Sequence, residues 1–143
     1  MRRALFSIVL VVLSGCGGDS TTGDSSARFP AVAGAYQVNG ALNSPPGAGA
    51  FSGSLVLSQA SRELSALTGT ANVSVTVAGR TERFTAVSYA ELGDYGAIQL
   101  YLDSPTSSSR VHLMGQVNGR VFSGSTDVTV SNAVYFGTFT AKR

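Results

Sequence analysis

The sequence predicts an all-β domain, most simply an eight-stranded antiparallel up-and-down barrel. Charged residues make up only 13% of the 143-residue chain, and Gly, Ser, Thr and Val take their place, a composition that favours strands and turns. After residue 29, apolar and polar residues alternate with a period of two, as in a half-buried strand. No window keeps the 3.6-residue period of a helix, and residues 61–67 suffice for a turn or two at most. A β-sandwich is the alternative architecture.

The first fifteen residues have the pattern of a secretory signal peptide. Arg2 and Arg3 precede an apolar run at residues 4–13. A permanent transmembrane helix needs about 20 apolar residues, so this run is too short to be one. It matches the apolar region of a signal peptide, which is followed by small residues before the cleavage site.

The tetrapeptide Leu13-Ser14-Gly15-Cys16, which contains the only cysteine, resembles the lipobox of bacterial lipoproteins. The resemblance implies transfer of a diacylglyceryl group to the Cys16 sulfur and cleavage between Gly15 and Cys16. Two or three acyl chains would anchor the protein stably, because each buried CH₂ contributes about 0.8 kcal/mol. We therefore expect an envelope protein held on the lipid bilayer, in the outer membrane if the cell is Gram-negative. The alternative is an ordinary signal peptide with an incidental cysteine.

Residues 16–28 are the expected tether between the lipid and a β domain at 29–143. Residues 17–27 include no large apolar side chain, so they cannot bury enough surface to offset their ordering entropy. Loss of Arg2 and Arg3 with the signal peptide reduces ten basic residues to eight, equal to the eight acidic ones. A mature chain without net charge lacks the basic surface that holds phosphates, so nucleic acid is not an expected partner.

Eight strands separated by turn residues follow the tether. They are predicted near residues 33–39, 50–58, 66–78, 80–91, 96–103, 110–117, 120–129 and 133–141. The first contains Gly34-Ala35-Tyr36, which resembles the Gly-x-aromatic start of lipocalin-type barrels. That resemblance implies a barrel and, with it, ligand transport.

Turn residues fix the predicted register of the second half. A type I′ turn at Asn118-Gly119, which needs positive φ at both positions, places Phe122 opposite Gly115 and Ser125 opposite His112. A loop at 104–109 and a turn at Ser131-Asn132 give the pairs Leu100–Leu113 and Phe139–Gly124. The resulting apolar face carries Ile98, Leu100, Leu102, Val111, Leu113, Val117, Phe122, Val128, Tyr135 and Phe139. The polar face carries Gln99, Tyr101, Asp103, Arg110, His112, Gln116, Ser123, Ser125 and Asp127.

His112, the only histidine, is the natural candidate for catalysis. Ser125, His112 and either Asp103 or Asp127 can be drawn as a Ser-His-Asp arrangement. A solvated sheet face provides neither an oxyanion hole nor a substrate pocket, and no Gly-x-Ser-x-Gly elbow is present. We therefore expect no catalytic residue and interpret His112 as a surface histidine, with a small hydrolase as an alternative. Arg110, between Asp103 and Asp127, is predicted to form an exposed charge ladder.

Metals and cofactors are not expected. One histidine and one acylated cysteine cannot build a usual zinc shell, and no carboxylate-rich loop resembles a calcium site. Tyr95, Tyr101 and His112 are the candidate contacts for a ligand or partner. Tyr89, Tyr95 and Tyr101 cluster around the turn at 93–94, and exposed tyrosines can stack on sugars or anchor proteins. The simpler interpretation, which we favour, places Tyr89 in the core and the other two on a loop and the polar face.

The expected function is that of a noncatalytic binding or interaction module displayed at a bacterial membrane. Its ligand is either a small apolar molecule inside the barrel, which requires unfilled interior volume, or an envelope protein. A structural or assembly factor acting through its outer surface is the alternative. We reject a transmembrane barrel because the apolar faces carry Gly and Thr and lack an aromatic girdle.

Overall fold

The computed structural model describes residues 27–45 and 48–143, which form one closed antiparallel barrel. The strands are β1 (Gly34–Ser44), β2 (Gly49–Ser58), β3 (Thr68–Val77), β4 (Arg80–Leu92), β5 (Ala97–Asp103), β6 (Arg110–Asn118), β7 (Val121–Val130) and β8 (Ala133–Lys142), with a 3₁₀ turn at Asp94–Gly96. Each strand pairs with its neighbours in sequence, and β8 closes on β1. The predicted barrel is confirmed. The predicted signal peptide, Gly15, Cys16 and most of the tether lie outside the described residues.

Two of the three predicted pairings in the second half are confirmed. Leu100 lies opposite Leu113, and Phe139 lies opposite Gly124. The β7–β8 turn at 131–132 has φ values of 51° and 66°, the positive values that a type I′ turn requires. These turns therefore set the register as the sequence predicted.

The predicted pairing of β6 with β7 is wrong by two residues. Asn118 belongs to β6, and the turn is Gly119-Arg120, in which Gly119 alone takes a positive φ of 61°. This matches a type II′ turn, which needs glycine only at its first central position. Phe122 consequently lies opposite Val117. A shift of two preserves the inward and outward alternation, so the faces were predicted correctly although the partners were not.

The interior of the barrel is filled by side chains. The Phe122 ring meets Tyr36 edge-on at 5.0 Å and Phe139 at 5.7 Å. Large inward side chains such as Tyr36, Phe84 and Leu100 are at most 1% exposed, whereas a cavity that admits water would expose inward side chains. The predicted apolar face lies in this core, with Val117 and Tyr135 partly buried against it. The interior therefore offers no preformed space for a ligand among the described residues.

The two ends of the barrel differ. At one end, which we call the proximal end, lie the loops at 59–67, 93–96 and 119–120. At the other, the distal end, lie Pro45, Ala48 and the loops at 78–79, 104–109 and 131–132. Residues 27–33, the closing segment, lie at the proximal end and bury Phe29 and Val32 in the core. The chain therefore enters the domain at the proximal end.

The closing segment is held by hydrogen bonds to the loop at 59–67. Phe29 N–H donates to the Arg62 carbonyl at 2.9 Å, and Arg62 Nε donates back to the Phe29 carbonyl at 2.9 Å. Gln59 Oε1 accepts from Val32 N–H, and Gln59 Nε2 donates to the Pro30 carbonyl, both at 3.1 Å. The backbone polar groups of this segment thus have partners where it covers apolar side chains. Within the described residues no helix is long and apolar enough to cross a membrane.

Candidate functional site

Five side chains form a continuous row across the outer wall, one from each of the strands β4 to β8. Each lies directly opposite the next in the strand register. In order around the barrel they are Tyr89, Tyr101, His112, Asp127 and Phe136, and we call them the aromatic row. The row arises because the outward positions of neighbouring strands come to one level in an antiparallel ladder.

The centre of the row is a stack of two rings. Tyr101 and His112 are 4.2 Å apart with an interplanar angle of 9°. Tyr89 meets Tyr101 edge-on at 5.7 Å, and the Arg110 guanidinium lies 5.3 Å from the Tyr101 ring centre. These contacts hold the rings in one arrangement on the wall, as expected of cross-strand aromatic pairs. The structure therefore brings together two predicted site residues, Tyr101 and His112.

His112 is oriented by Asp127. Its Nδ1 lies 3.0 Å from Asp127 Oδ1, so the hydrogen on Nδ1 is the tautomer that satisfies the carboxylate. Nε2 is buried and has no hydrogen-bond partner within the described chain. The predicted placement of Ser125 beside His112 is wrong, because Ser125 lies opposite Met114. Asp127 and His112 are thus arranged like the acid and the base of a catalytic triad. However, Nε2, the nitrogen that would activate a nucleophile, has no hydroxyl partner among the described residues.

The predicted charge ladder exists only in its first half. Arg110 Nε lies 2.6 Å from Asp103 Oδ1. This hydrogen bond lowers the pKa of the Asp103 carboxyl and raises the pKa of the Arg110 guanidinium. Asp127, predicted as the second partner of Arg110, bonds to His112 instead. The cause is the two-residue register shift between β6 and β7, which places Asp127 opposite His112.

The predicted cluster of three tyrosines is divided by the fold. Tyr89 is 44% exposed, so its placement in the core is wrong. An irregularity in β4 between Val87 and Tyr89 interrupts the alternation and leaves Tyr89 on the outer wall. Its hydroxyl hydrogen-bonds to the Glu91 carboxylate, which raises the pKa of Tyr89. Tyr95 lies elsewhere, fully exposed in the 3₁₀ turn of the proximal end.

Phe136 ends the row and was not among the predicted site residues. It lies opposite Asp127 and is 55% exposed. A signal for it was present, because placing Tyr135 and Phe139 inward on β8 puts Phe136 on the outside by alternation. A phenylalanine that is more than half exposed on a strand is a feature that marks contact surfaces when it has neighbours of the same kind.

A cleft of about 340 Å³ lies at the proximal end. It lies between the closing segment and the loops, and its rim carries Arg28, Glu63, Leu64 and Asp94. Arg28 and Asp94 form an exposed ion pair at 3.4 Å. Within the described ranges, no group of three or more His, Cys, Asp or Glu side chains is arranged to hold a metal ion.

Comparison of the chain with protein-family models, with curated proteins and with solved structures gives no significant match. The strand number and the up-and-down order are those of lipocalin-type barrels, in line with the resemblance of Gly34-Ala35-Tyr36. Function is therefore inferred from the residues of this chain alone.

Proposed function

We propose that the protein is a lipid-anchored protein of the bacterial envelope whose barrel is a noncatalytic module that binds another envelope protein through the aromatic row. The observation that carries the binding proposal is the continuous aromatic row on an outer wall that surrounds a filled interior. The lipid anchor is supported by the signal-peptide pattern and the lipobox resemblance at Cys16.

The outer wall is favoured over the interior as the binding surface. A carrier of apolar molecules needs a hollow barrel, whereas the described core residues leave no such space. The row exposes Tyr89 and Phe136 at its two ends, with partly exposed Asp127 between them. Exposed aromatic side chains within a polar surround are typical of the residues that dominate protein–protein binding energy.

The geometry of His112 supports a noncatalytic function. A general base needs its free nitrogen within reach of the proton that it removes. Here Nε2 is buried and unpartnered, so a substrate would have to displace neighbouring groups to reach it. Hydrolysis of simple esters that is present in the wild type and lost in His112→Ala would contradict this part of the proposal.

The anchor is tested by Cys16→Ser. We expect this variant to lose labelling by radioactive fatty acid and to remain as the uncleaved precursor, because the thiol is the lipid acceptor. Ser14→Ala is the matched control, since it keeps a small residue beside the cleavage site and should keep the label. Labelling that persists in Cys16→Ser would contradict the proposed attachment site.

The binding surface is tested by a photoreactive phenylalanine analogue placed at Phe136 of the full-length protein in intact cells. Val56 on β2 is the matched control position, because its exposed fraction of 45% is close to the 55% of Phe136. We expect one discrete protein adduct from position 136, weakened by an added Tyr89→Ala, and none from position 56. Equal adducts from both positions would contradict the proposal. So would a small apolar molecule retained in native mass spectra of the detergent-extracted protein.

A further inference from the structure

The proximal end presents two large exposed side chains beside the point where the chain enters the barrel. Tyr95 has its whole side chain in solvent, with a relative exposure of 101%, and Leu64 is 55% exposed. Their loops are neighbours, because Leu64 and Asp94 line the same cleft. Tyr95 follows Asp94 directly in the chain. Leu64 and Tyr95 thus lie on neighbouring loops of this end, and we call them the proximal tip.

Tyr95 is held outward by a strained turn. Its φ is 57°, in the left-handed region that bulky residues rarely adopt. Gly93 N–H donates to the Ala97 carbonyl at 2.8 Å, and this hydrogen bond closes the turn that contains Tyr95. A left-handed non-glycine residue costs on the order of 1 kcal/mol. Because Tyr95 makes no packing contact that would offset this strain, the conformation points to a role outside the folding of the domain.

The proximal end as a whole, which includes this tip, carries a net positive charge. Five of the eight basic side chains in the described ranges lie at the proximal end, against three of the six acidic ones. The basic residues are Arg28, Arg62, Arg120, Lys142 and Arg143, and the acidic ones are Glu63, Glu91 and Asp94. The remaining described charges are balanced and lie nearer the distal end. The proximal end therefore carries the excess positive charge of the described residues.

The length of chain between the anchor and the barrel limits how far this end can lie from the bilayer. Eleven peptide units join Cys16 to Ala27, so they span at most about 40 Å when fully extended. A strand of ten residues, such as β2, is itself about 33 Å long. The proximal end therefore lies within about 40 Å of the anchored cysteine, whereas the loops of the distal end can lie a full strand length further away.

We infer that the proximal end is a lipid-contacting face, with Tyr95 and Leu64 at the interface of an anionic membrane and the basic side chains beside its head groups. The inference rests on the proposed anchor at Cys16. Tyrosine is enriched at membrane interfaces because its ring is apolar and its hydroxyl is polar. Each Lys or Arg near an anionic surface adds roughly 1 kcal/mol of attraction. The barrel then stands upright, and the aromatic row faces sideways along the membrane, open to a neighbouring protein.

The chain contains no tryptophan. The fluorescence of a single introduced tryptophan therefore reports on one position only. Tyr95→Trp and the control Val134→Trp, near the distal end and 46% exposed, are prepared as lipidated protein in vesicles of phosphatidylcholine and phosphatidylglycerol with brominated acyl chains. We expect a blue-shifted, quenched emission from Tyr95→Trp and an unquenched emission from Val134→Trp. Unquenched emission from Tyr95→Trp in anchored protein, or equal quenching of both, would overturn the inference.

A second experiment tests the lipid-contacting face independently of the lipid anchor. Since residues 27–143 form a closed barrel with a continuous core, the chain can be produced from residue 17 onward. We expect the emission of its Tyr95→Trp variant to shift with phosphatidylglycerol vesicles and not with pure phosphatidylcholine. Arg120→Gln should weaken this binding about fivefold, the equivalent of roughly 1 kcal/mol, whereas Arg80→Gln at the distal end should not. No shift with anionic vesicles would overturn the lipid-contacting face. A mature protein without acyl mass on Cys16 would overturn the anchor alone.

Discussion

Asp103 binds its proton less tightly than an ordinary aspartate because the Arg110 guanidinium donates a hydrogen bond to it at 2.6 Å. The pKa of Glu82 is also lowered, but by a different set of contributions. Burial acts to raise the pKa of Glu82, but hydrogen bonds from Ser107, Ser104 and Ser109 outweigh it and lower the pKa. Both carboxylates thereby tie the loop at 104–109 to the wall at the distal end.

At the residue scale we predict that Asp103→Asn destabilises the protein at neutral pH by less than about 1 kcal/mol, because the ion pair is partly exposed and screened. The folded pKa of Asp103 lies below the unfolded value of about 3.8. Its stabilisation is therefore complete above that value and is lost as pH falls through the lowered folded pKa. Urea unfolding should show a difference between wild type and variant at neutral pH that disappears at about pH 2.

Glu63→Gln is the control for this prediction. Glu63 is an exposed carboxylate that makes no ion pair within the described residues, so its removal should change the free energy of unfolding at neutral pH by no more than about 0.5 kcal/mol. An equal difference between wild type and Asp103→Asn at both pH values would show that Asp103 acts through something other than its charge.

At the scale of elements, the closing segment is attached both by the burial of Phe29 and Val32 and by polar contacts with a few side chains. The Tyr36 hydroxyl donates to the Val32 carbonyl at 2.7 Å from inside the barrel, and burial raises the pKa of this phenol. The Gln59 amide bonds to Pro30 and Val32 from the loop at 59–67. The segment therefore depends on Gln59 for two of its backbone partners.

We predict that Gln59→Ala lowers the free energy of unfolding by about 1–3 kcal/mol, because it leaves a partly buried donor and acceptor without partners. The amide of Val32 should exchange with solvent faster than in the wild type, as measured by hydrogen–deuterium exchange. Gln99→Ala, an exposed position on the outer wall, should change stability by no more than about 0.5 kcal/mol. Unchanged exchange at Val32 would mean that the closing segment is held by its apolar contacts alone.

The turns explain what the sequence could and could not predict. Period-two alternation located all eight strands, although it ended the first one five residues early, and it assigned the inward and outward faces of the second half, because both depend on local pattern. The β6–β7 turn was ambiguous, since Asn118-Gly119 and Gly119-Arg120 are both acceptable two-residue turns. That choice moved every partner between β6 and β7 by two positions, so the contact of His112 with Asp127 was missed. The outward position of Tyr89 was missed because no sequence pattern marked the irregularity in β4.

At the scale of the whole molecule, the filled interior makes the barrel a rigid support for its surface. Phe122 is buried in the core towards the proximal end, in edge-to-face contact with Tyr36 and Phe139. Phe136, which has the same side chain, lies on the outer wall and is 55% exposed. The two phenylalanines thus allow the contribution of the core to stability to be tested separately from the proposed binding surface.

We predict that Phe122→Ala destabilises the protein by about 3–5 kcal/mol through the cavity that it leaves. Phe136→Ala should change the free energy of unfolding by no more than about 0.5 kcal/mol and should impair only partner binding. Denaturant unfolding measures both, with Phe122→Leu as the milder substitution if the alanine variant does not accumulate. Similar losses for Phe122→Ala and Phe136→Ala would contradict the assignment of inner and outer walls.

The pairing of β8 with β1 has a consequence for how the domain comes into being. This seam joins Gln37 to Lys142. These two residues belong to the first and the last strand of the barrel. Contacts between residues so far apart in sequence form late, because the loop between them must first be ordered. A growing chain that lacks β8 leaves β1 and β7 as open sheet edges, which are prone to pair with other chains. The ring is therefore completed only when β8 pairs with β1, and until then the sheet has two open edges.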